Sequence, residues 1–168
     1  FPDITYGFYR VYAEINRVPY REIPLEDDLT IRLSRYDGQK ALIVLANPNA
    51  PTGMAVTPGE IERLARRSPD SVILVDEAYV DFGAQSCVPL TQYLKNVLVV
   101  QTFSKSRSLA GARLGFGIAC PELMRDLQTI RYALNPYNVN SFTQALGIGI
   151  LRDEETVRRN CAEIIENR

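Results

Sequence analysis

Three short apolar runs constrain this chain more than any other feature. They are residues 41–46 (ALIVLA), 71–75 (SVILV) and 96–100 (NVLVV). Each is largely β-branched, and none alternates polar with apolar residues. Strands covered on both faces by helices read this way. A fourth run, residues 114–119 (LGFGIA), follows a glycine-containing turn. Helical patterns lie between and around the runs. Thr57-Pro58-Gly59-Glu60 predicts a capping box with proline at the first helical position, and Ile61, Leu64 and Ala65 supply the apolar stripe. Pro121 opens a second helix with Leu123, Met124, Leu127 and Ile130 on one face. Asp153 is placed to cap a third, with Glu154 and Glu155 in its first turn and Val157, Cys161, Ile164 and Ile165 as its stripe. Near the start, Phe8, Val11, Tyr12 and Ile15 recur at helical spacing. Strands alternating with helices predict an α/β domain, three layers deep, on a mostly parallel sheet.

Composition narrows the chemistry. The chain has 168 residues and a formal net charge of −1, so it offers no electrostatic reason to expect nucleic acid or an acidic membrane as partner. No apolar stretch approaches the length of a membrane span, and no basic-then-apolar leader opens the chain. Three widely spaced cysteines fit neither a disulfide framework nor a zinc site. A reducing, cytoplasmic setting and buried core roles are expected for them. Histidine is absent altogether, which excludes a Ser–His–Asp triad and a Cys–His pair. Chemistry is left to lysine, tyrosine, carboxylates, arginine or a cofactor. The chain begins at Phe1 rather than methionine and ends inside a helical pattern, so it reads as a piece of a longer protein, truncated at both ends.

In open α/β sheets functional residues gather past the carboxyl ends of strands. The first strand leads into residues 47–53 (NPNAPTG), a turn-rich segment. The second leads into Asp76-Glu77-Ala78-Tyr79. A partly desolvated Asp76 is expected to find a cationic partner, because an unpaired buried carboxylate is costly. The third leads into residues 102–113 (TFSKSRSLAGAR), where hydroxyls, backbone amides and a guanidinium could cradle a phosphate. Lys105 stands in that loop. An amine, a carboxylate, a phenol and a phosphate clamp at one sheet edge are the equipment of a pyridoxal 5'-phosphate site. No G-x-x-x-x-G-K-[ST] or G-x-G-x-x-G is present, which leaves a nucleotide-binding domain a weak alternative.

On these segments the sequence resembles fold-type I, class I/II aminotransferases, and among them the histidinol-phosphate branch. The resemblance runs over essentially the whole chain. It rests on residues 3–9, 47–53, 76–82, 102–117 and 136–140. It implies the large domain of a pyridoxal-phosphate-dependent transferase, with the small C-terminal domain and an N-terminal segment lying outside this chain. By position, Lys105 matches the Schiff-base lysine and proton shuttle, and Asp76 the partner of the pyridine nitrogen. Tyr79 matches the donor to the cofactor's O3′, Ser104 and Arg113 the phosphate ligands, and Tyr6 the aromatic residue stacked on the ring. The family commonly has Asn immediately before Pro-Thr-Gly. Here that position is Ala50, and Asn49, Asn47 or Tyr79 alone is left to serve O3′. The resemblance further implies an amino donor and a 2-oxo acid as substrates, a homodimer, and exposed apolar surface where other segments would pack. Related enzymes with the same cofactor, such as threonine-phosphate decarboxylase or aromatic and broad-range aminotransferases, share these motifs. A non-catalytic scaffold is the reading from a different class.

Overall fold

The structure is a computed structural model that describes residues 1–167. Four strands form one sheet in the order β1 (Leu42–Ala46), β2 (Val72–Asp76), β3 (Val97–Thr102) and β4 (Gly115–Ile118). The first three are parallel, and β4 runs antiparallel to β3. The α/β class and the mostly parallel sheet agree with the reading of the apolar runs. The polar residues at the starts of the second and third runs fall outside the strands because their side chains serve backbone carbonyls. The Asn96 amide lies 3.0–3.1 Å from the carbonyls of Ala65, Ser68 and Ser71, and the Ser71 hydroxyl donates to Gln39. The glycine that opens β4 is there for a steric reason. A side chain at Gly115 would place its Cβ 2.9 Å from the Gln101 carbonyl oxygen across the pair.

Strand parity divides the sheet into two unequal faces. Ile43, Leu45, Ile73, Val75, Val97 and Val99 all point to one face and are at most 3% exposed. Ile61, Leu64 and Ala65 of α2 (Pro58–Arg67) pack there, with Leu90 and Leu94 from the segment before β3. The other face carries Leu42, Val44, Leu74 and Asp76. Across it lie α1 (Phe8–Ile15) and its flanking segments, leaving a cavity of about 890 Å³ that Tyr9, Tyr12, Leu42, Val44, Leu74 and Asp76 help to line. Helical cover is therefore tight over one face and open over the other.

The remaining helices are α3 (Pro121–Leu134), α4 (Ser141–Arg152) and α5 (Glu154–Glu166). The expected caps form: Asp153 accepts the Thr156 N–H at 3.2 Å, and α2 has a complete capping box between Thr57 and Glu60. The sequence reading did not single out α4, whose apolar residues lie on all sides and whose run contains Gly147 and Gly149. The apolar face expected on α3 forms but is only partly covered: Leu123 and Met124 are half-buried, whereas Leu127 and Ile130 are exposed, as are Phe142 and Leu151 on α4. Among the described residues no helix is long and apolar enough to cross a membrane. All three cysteines are free and buried, as expected of core residues.

The capping box yields a testable pair of effects. Thr57→Ala removes the acceptor of the Glu60 N–H and is expected to cost about 1 kcal/mol of stability. The Thr57 backbone N–H, then its hydroxyl, hold the Glu60 carboxyl below its usual range. That stabilisation is present above the ordinary glutamate pKa and is lost as pH falls through the lowered one. Urea midpoints should thus separate wild type from Thr57→Ala at neutral pH, and the gap should narrow in acid.

Candidate active site

Parallel pairing sends β1, β2 and β3 out of the sheet at the same rim, so the segments after them meet there. Residues 47–53 follow β1. Their turn requires Gly53, which sits at φ +74°, where a side chain would be strained. Asn49 is fully buried. Its amide donates to the Ile4 carbonyl at 2.9 Å and to the Thr52 hydroxyl at 3.2 Å, and its oxygen accepts from Thr5 at 2.7 Å. Asn47 is likewise committed, donating to the Val56 carbonyl and accepting its N–H. Neither amide is free to replace the one missing at Ala50. Asn49 instead ties the N-terminal segment to the rim.

β2 ends in two adjacent carboxylates that face opposite sides of the sheet. Glu77 is 2% exposed and accepts from Ser86 at 2.7 Å, from Gln101 at 2.8 Å and from the Cys87 N–H. Three donors satisfy it without a cation. Asp76 turns to the open face and is only half-buried. Its Oδ2 accepts from the Tyr9 hydroxyl at 2.7 Å and its Oδ1 from the Ala78 N–H at 3.1 Å. Among the described residues a phenol and an amide, and no lysine or arginine, meet Asp76, which suffices for the chain alone because the carboxylate is not fully desolvated. Tyr9 is the residue that the sequence reading missed. It lies off the apolar stripe of Phe8, Val11, Tyr12 and Ile15, and the demand of Asp76 for a donor was the one signal that pointed toward it.

The segment after β3 is pinned on both sides of Lys105. The Ser106 hydroxyl donates to Asp81, and Arg107 donates to the same carboxylate at 2.9 Å while lying over the Phe103 ring at 5.3 Å. The Ser104 N–H donates to the Thr102 hydroxyl at 3.1 Å. Lys105 itself is exposed, and among the described residues it pairs with no carboxylate. Its Nζ lies 5.2 Å from the centre of the Tyr79 ring, within cation–π range. Arg113 closes the loop in left-handed backbone, φ 53°, with Nη1 donating to the Ala110 carbonyl at 2.8 Å and the rest of its fork available. Tyr6 is half-exposed and meets Tyr9 edge-on at 5.5 Å.

The structure thus joins Tyr6, Tyr9 and Asp76 in one group and Tyr79 and Lys105 in another, at one rim. Ser104 and Arg113 stand in the Lys105 loop. An unpaired amine, a carboxylate with spare lone pairs, a phenol and a guanidinium suit a flat, phosphorylated aldehyde with a basic ring nitrogen. The cysteines do not compete for the chemistry. Burial and the nearby Glu77 push the Cys87 thiol up to about 12, so it stays protonated.

The sequence model of the aminotransferase class I and II family matches residues 1–168, the entire chain. The chain belongs to that family. Among curated relatives, the histidinol-phosphate aminotransferase of Lactococcus lactis subsp. cremoris (strain SK11) is 45% identical over 167 residues, covering 99% of this chain and 47% of the relative. That of Acetobacter pasteurianus is 42% identical over 168 residues, again 47% of its length. The crystal structure of histidinol-phosphate aminotransferase from Sinorhizobium meliloti in complex with pyridoxal-5'-phosphate superposes with a TM-score of 0.85 at 22% identity, over 98% of this chain and 46% of that one. The last likeness shows a shared fold. The chain spans about half the length of the curated relatives it matches.

Asp81 organises the loop that carries Lys105. Asp81→Ala should cost about 1–3 kcal/mol by stranding the buried Ser106 hydroxyl. Amide hydrogen exchange should quicken across residues 103–109 more than in β1 or β2.

Proposed function

We propose that the whole protein to which this chain belongs is a pyridoxal-phosphate-dependent aminotransferase. Its reaction would convert histidinol phosphate and 2-oxoglutarate to imidazole acetol phosphate and glutamate. The observation that carries this reading is that the segments bearing Asp76, Tyr79, Lys105 and Arg113 lie at one rim of the sheet, with the Lys105 amine over the Tyr79 ring. The relatives' names supply the substrate.

Pyridoxal phosphate supplies an aldehyde for covalent attachment and an electron-poor ring that draws charge from a substrate's α-carbon. This chain's residues supply the rest. Lys105 would hold the aldehyde carbon and then serve as the base that moves a proton from the α-carbon. It is suited to both tasks because no carboxylate holds its amine in a salt bridge. Asp76 would keep the pyridine nitrogen protonated, an opposite charge at contact shifting a pKa by roughly 1–3 units. Tyr79 would donate to O3′. With Ala50 in the loop and the Asn47 and Asn49 amides occupied, Tyr79 carries that role unaided. Ser104 and Arg113 would bind the phosphate, the latter through the free part of its fork. Tyr6 would cover one face of the ring. Asn49 serves the site by anchoring Ile4 and Thr5 beside it. We place the working enzyme in the cytoplasm as a homodimer, with an amino donor and a 2-oxo acid as its small-molecule partners.

Borohydride treatment of the full-length protein with pyridoxal phosphate should fix the cofactor to the peptide containing Lys105, as read by mass spectrometry. Lys105→Ala should abolish that adduct and lower glutamate formation from histidinol phosphate by at least about a thousandfold. Absence of a wild-type adduct would sink the reading. The 168-residue chain alone is expected to show little or no turnover; amino transfer at the full-length rate would contradict that.

A further inference from the structure

The phenol of Tyr9 has no place in the set of cofactor-binding residues just named, yet it makes the closest contact of the Asp76 carboxylate, 2.7 Å from Oδ2. We infer that Tyr9 is a positioning residue for Asp76, fixing its carboxylate toward the cofactor's ring nitrogen. The inference rests on the pyridoxal-phosphate reading above.

A carboxylate offers about four lone-pair sites on its two oxygens. Tyr9 occupies one on Oδ2, and the Ala78 N–H occupies one on Oδ1. One site on each oxygen stays open, so a ring N–H can be received without displacing either donor. Two fixed donors hold the plane of the carboxylate. No arginine or lysine pairs with Asp76 among the described residues. Its charge is therefore shared with a neutral phenol and an amide and remains available to a cation. A lysine or arginine at position 9 would neutralise that charge and weaken its hold on a pyridinium. A phenol orients it and leaves it negative.

Tyr9 is itself held in donor form. Burial, then the Asp76 charge, raise its hydroxyl well above the ordinary tyrosine range. Its ring sits 6.0 Å from Phe1 and edge-on to Tyr6 at 5.5 Å. One side chain thereby couples the proposed ring-stacking tyrosine to the proposed ring-nitrogen acid. α1 buries no residue completely, so packing alone does not set the position of this helix.

The test uses the full-length holoenzyme reconstituted with pyridoxal phosphate labelled with ¹⁵N in the ring. In Tyr9→Phe the carboxylate loses one of its two fixed donors and is no longer held in plane toward the ring nitrogen. The ring-nitrogen resonance should move toward that of the unprotonated ring, cofactor dissociation should rise roughly tenfold, and kcat should fall with KM little changed. Tyr12→Phe, in the same helix and with no bond to Asp76, should leave all three unchanged. An unchanged ¹⁵N resonance in Tyr9→Phe, with or without weaker cofactor binding, would reduce Tyr9 to a structural tie and overturn the inference. That result would leave the functional reading standing, whereas failure of wild type to take up cofactor at Lys105 would remove both. If Tyr9→Phe does not fold, fluorotyrosines at position 9 give the same readout. The resonance should then track phenol acidity, and its indifference to fluorination would count against the role.

Discussion

Parallel pairing of Leu42–Ala46, Val72–Asp76 and Val97–Thr102 brings three loops to one rim, and each proposed function of this chain depends on that register. Ala46 lies opposite Asp76, and Asp76 opposite Val100, so the carboxylate sits in the last row of the three parallel strands with a neighbouring strand on either side. Lys105 follows the end of β3 by three residues, too few to carry it away from that row. An antiparallel arrangement of the same strands would have sent alternate loops to opposite ends. The sites in this fold class lie at carboxyl ends because parallel strands share only that edge for outgoing chain.

Alternation then divides two neighbouring acids into different duties. Glu77 points to the covered face, where Ser86, Cys87 and Gln101 satisfy it, and it fastens the segment after β2 to β3. Asp76 points to the open face, where Tyr9 meets it. Exchanging the two residues would keep the composition and lose both effects. The buried acid would lack its fitted donors, and the rim acid would be longer by one methylene. The adjacent carboxylates are therefore best understood as one anchor and one functional group, with the backbone period of two deciding which is which.

How much of this was legible beforehand follows from the range of each interaction. The strand runs, the Thr57 box and the Asp153 cap are encoded within a few residues of themselves, and the sequence reading found them. Tyr9 and Asp76 are separated by 67 residues, and nothing local to either announces the other. A buried acid needs hydrogen-bond donors, and charge is only one way to provide them. Asn49 is the converse case. Its place next to Ala50 suggested a substitute ligand, but 44 and 45 residues upstream Thr5 and Ile4 claim its amide. The helix α4 escaped notice because its two glycines and encircling apolar residues blur the helical period.

The loop around Lys105 shows how such a rim is held in shape. Ser108 and Arg113 both adopt left-handed backbone, φ 55° and 53°, without being glycine. Such conformations cost on the order of 1 kcal/mol each and persist where surrounding contacts over-determine them. Those contacts are present here. The Ser108 N–H reaches the Lys105 carbonyl at 3.0 Å, Leu109 reaches Phe103 at 2.9 Å, and Phe103 reaches Leu114 at 3.0 Å. Asp81 gathers Ser106 and Arg107 from outside. A relaxed loop of the same length could place a lysine anywhere along the rim. This one spends its hydrogen bonds on its own backbone, leaving the Lys105 amine and most of the Arg113 fork facing outward, as the proposed roles of both side chains need.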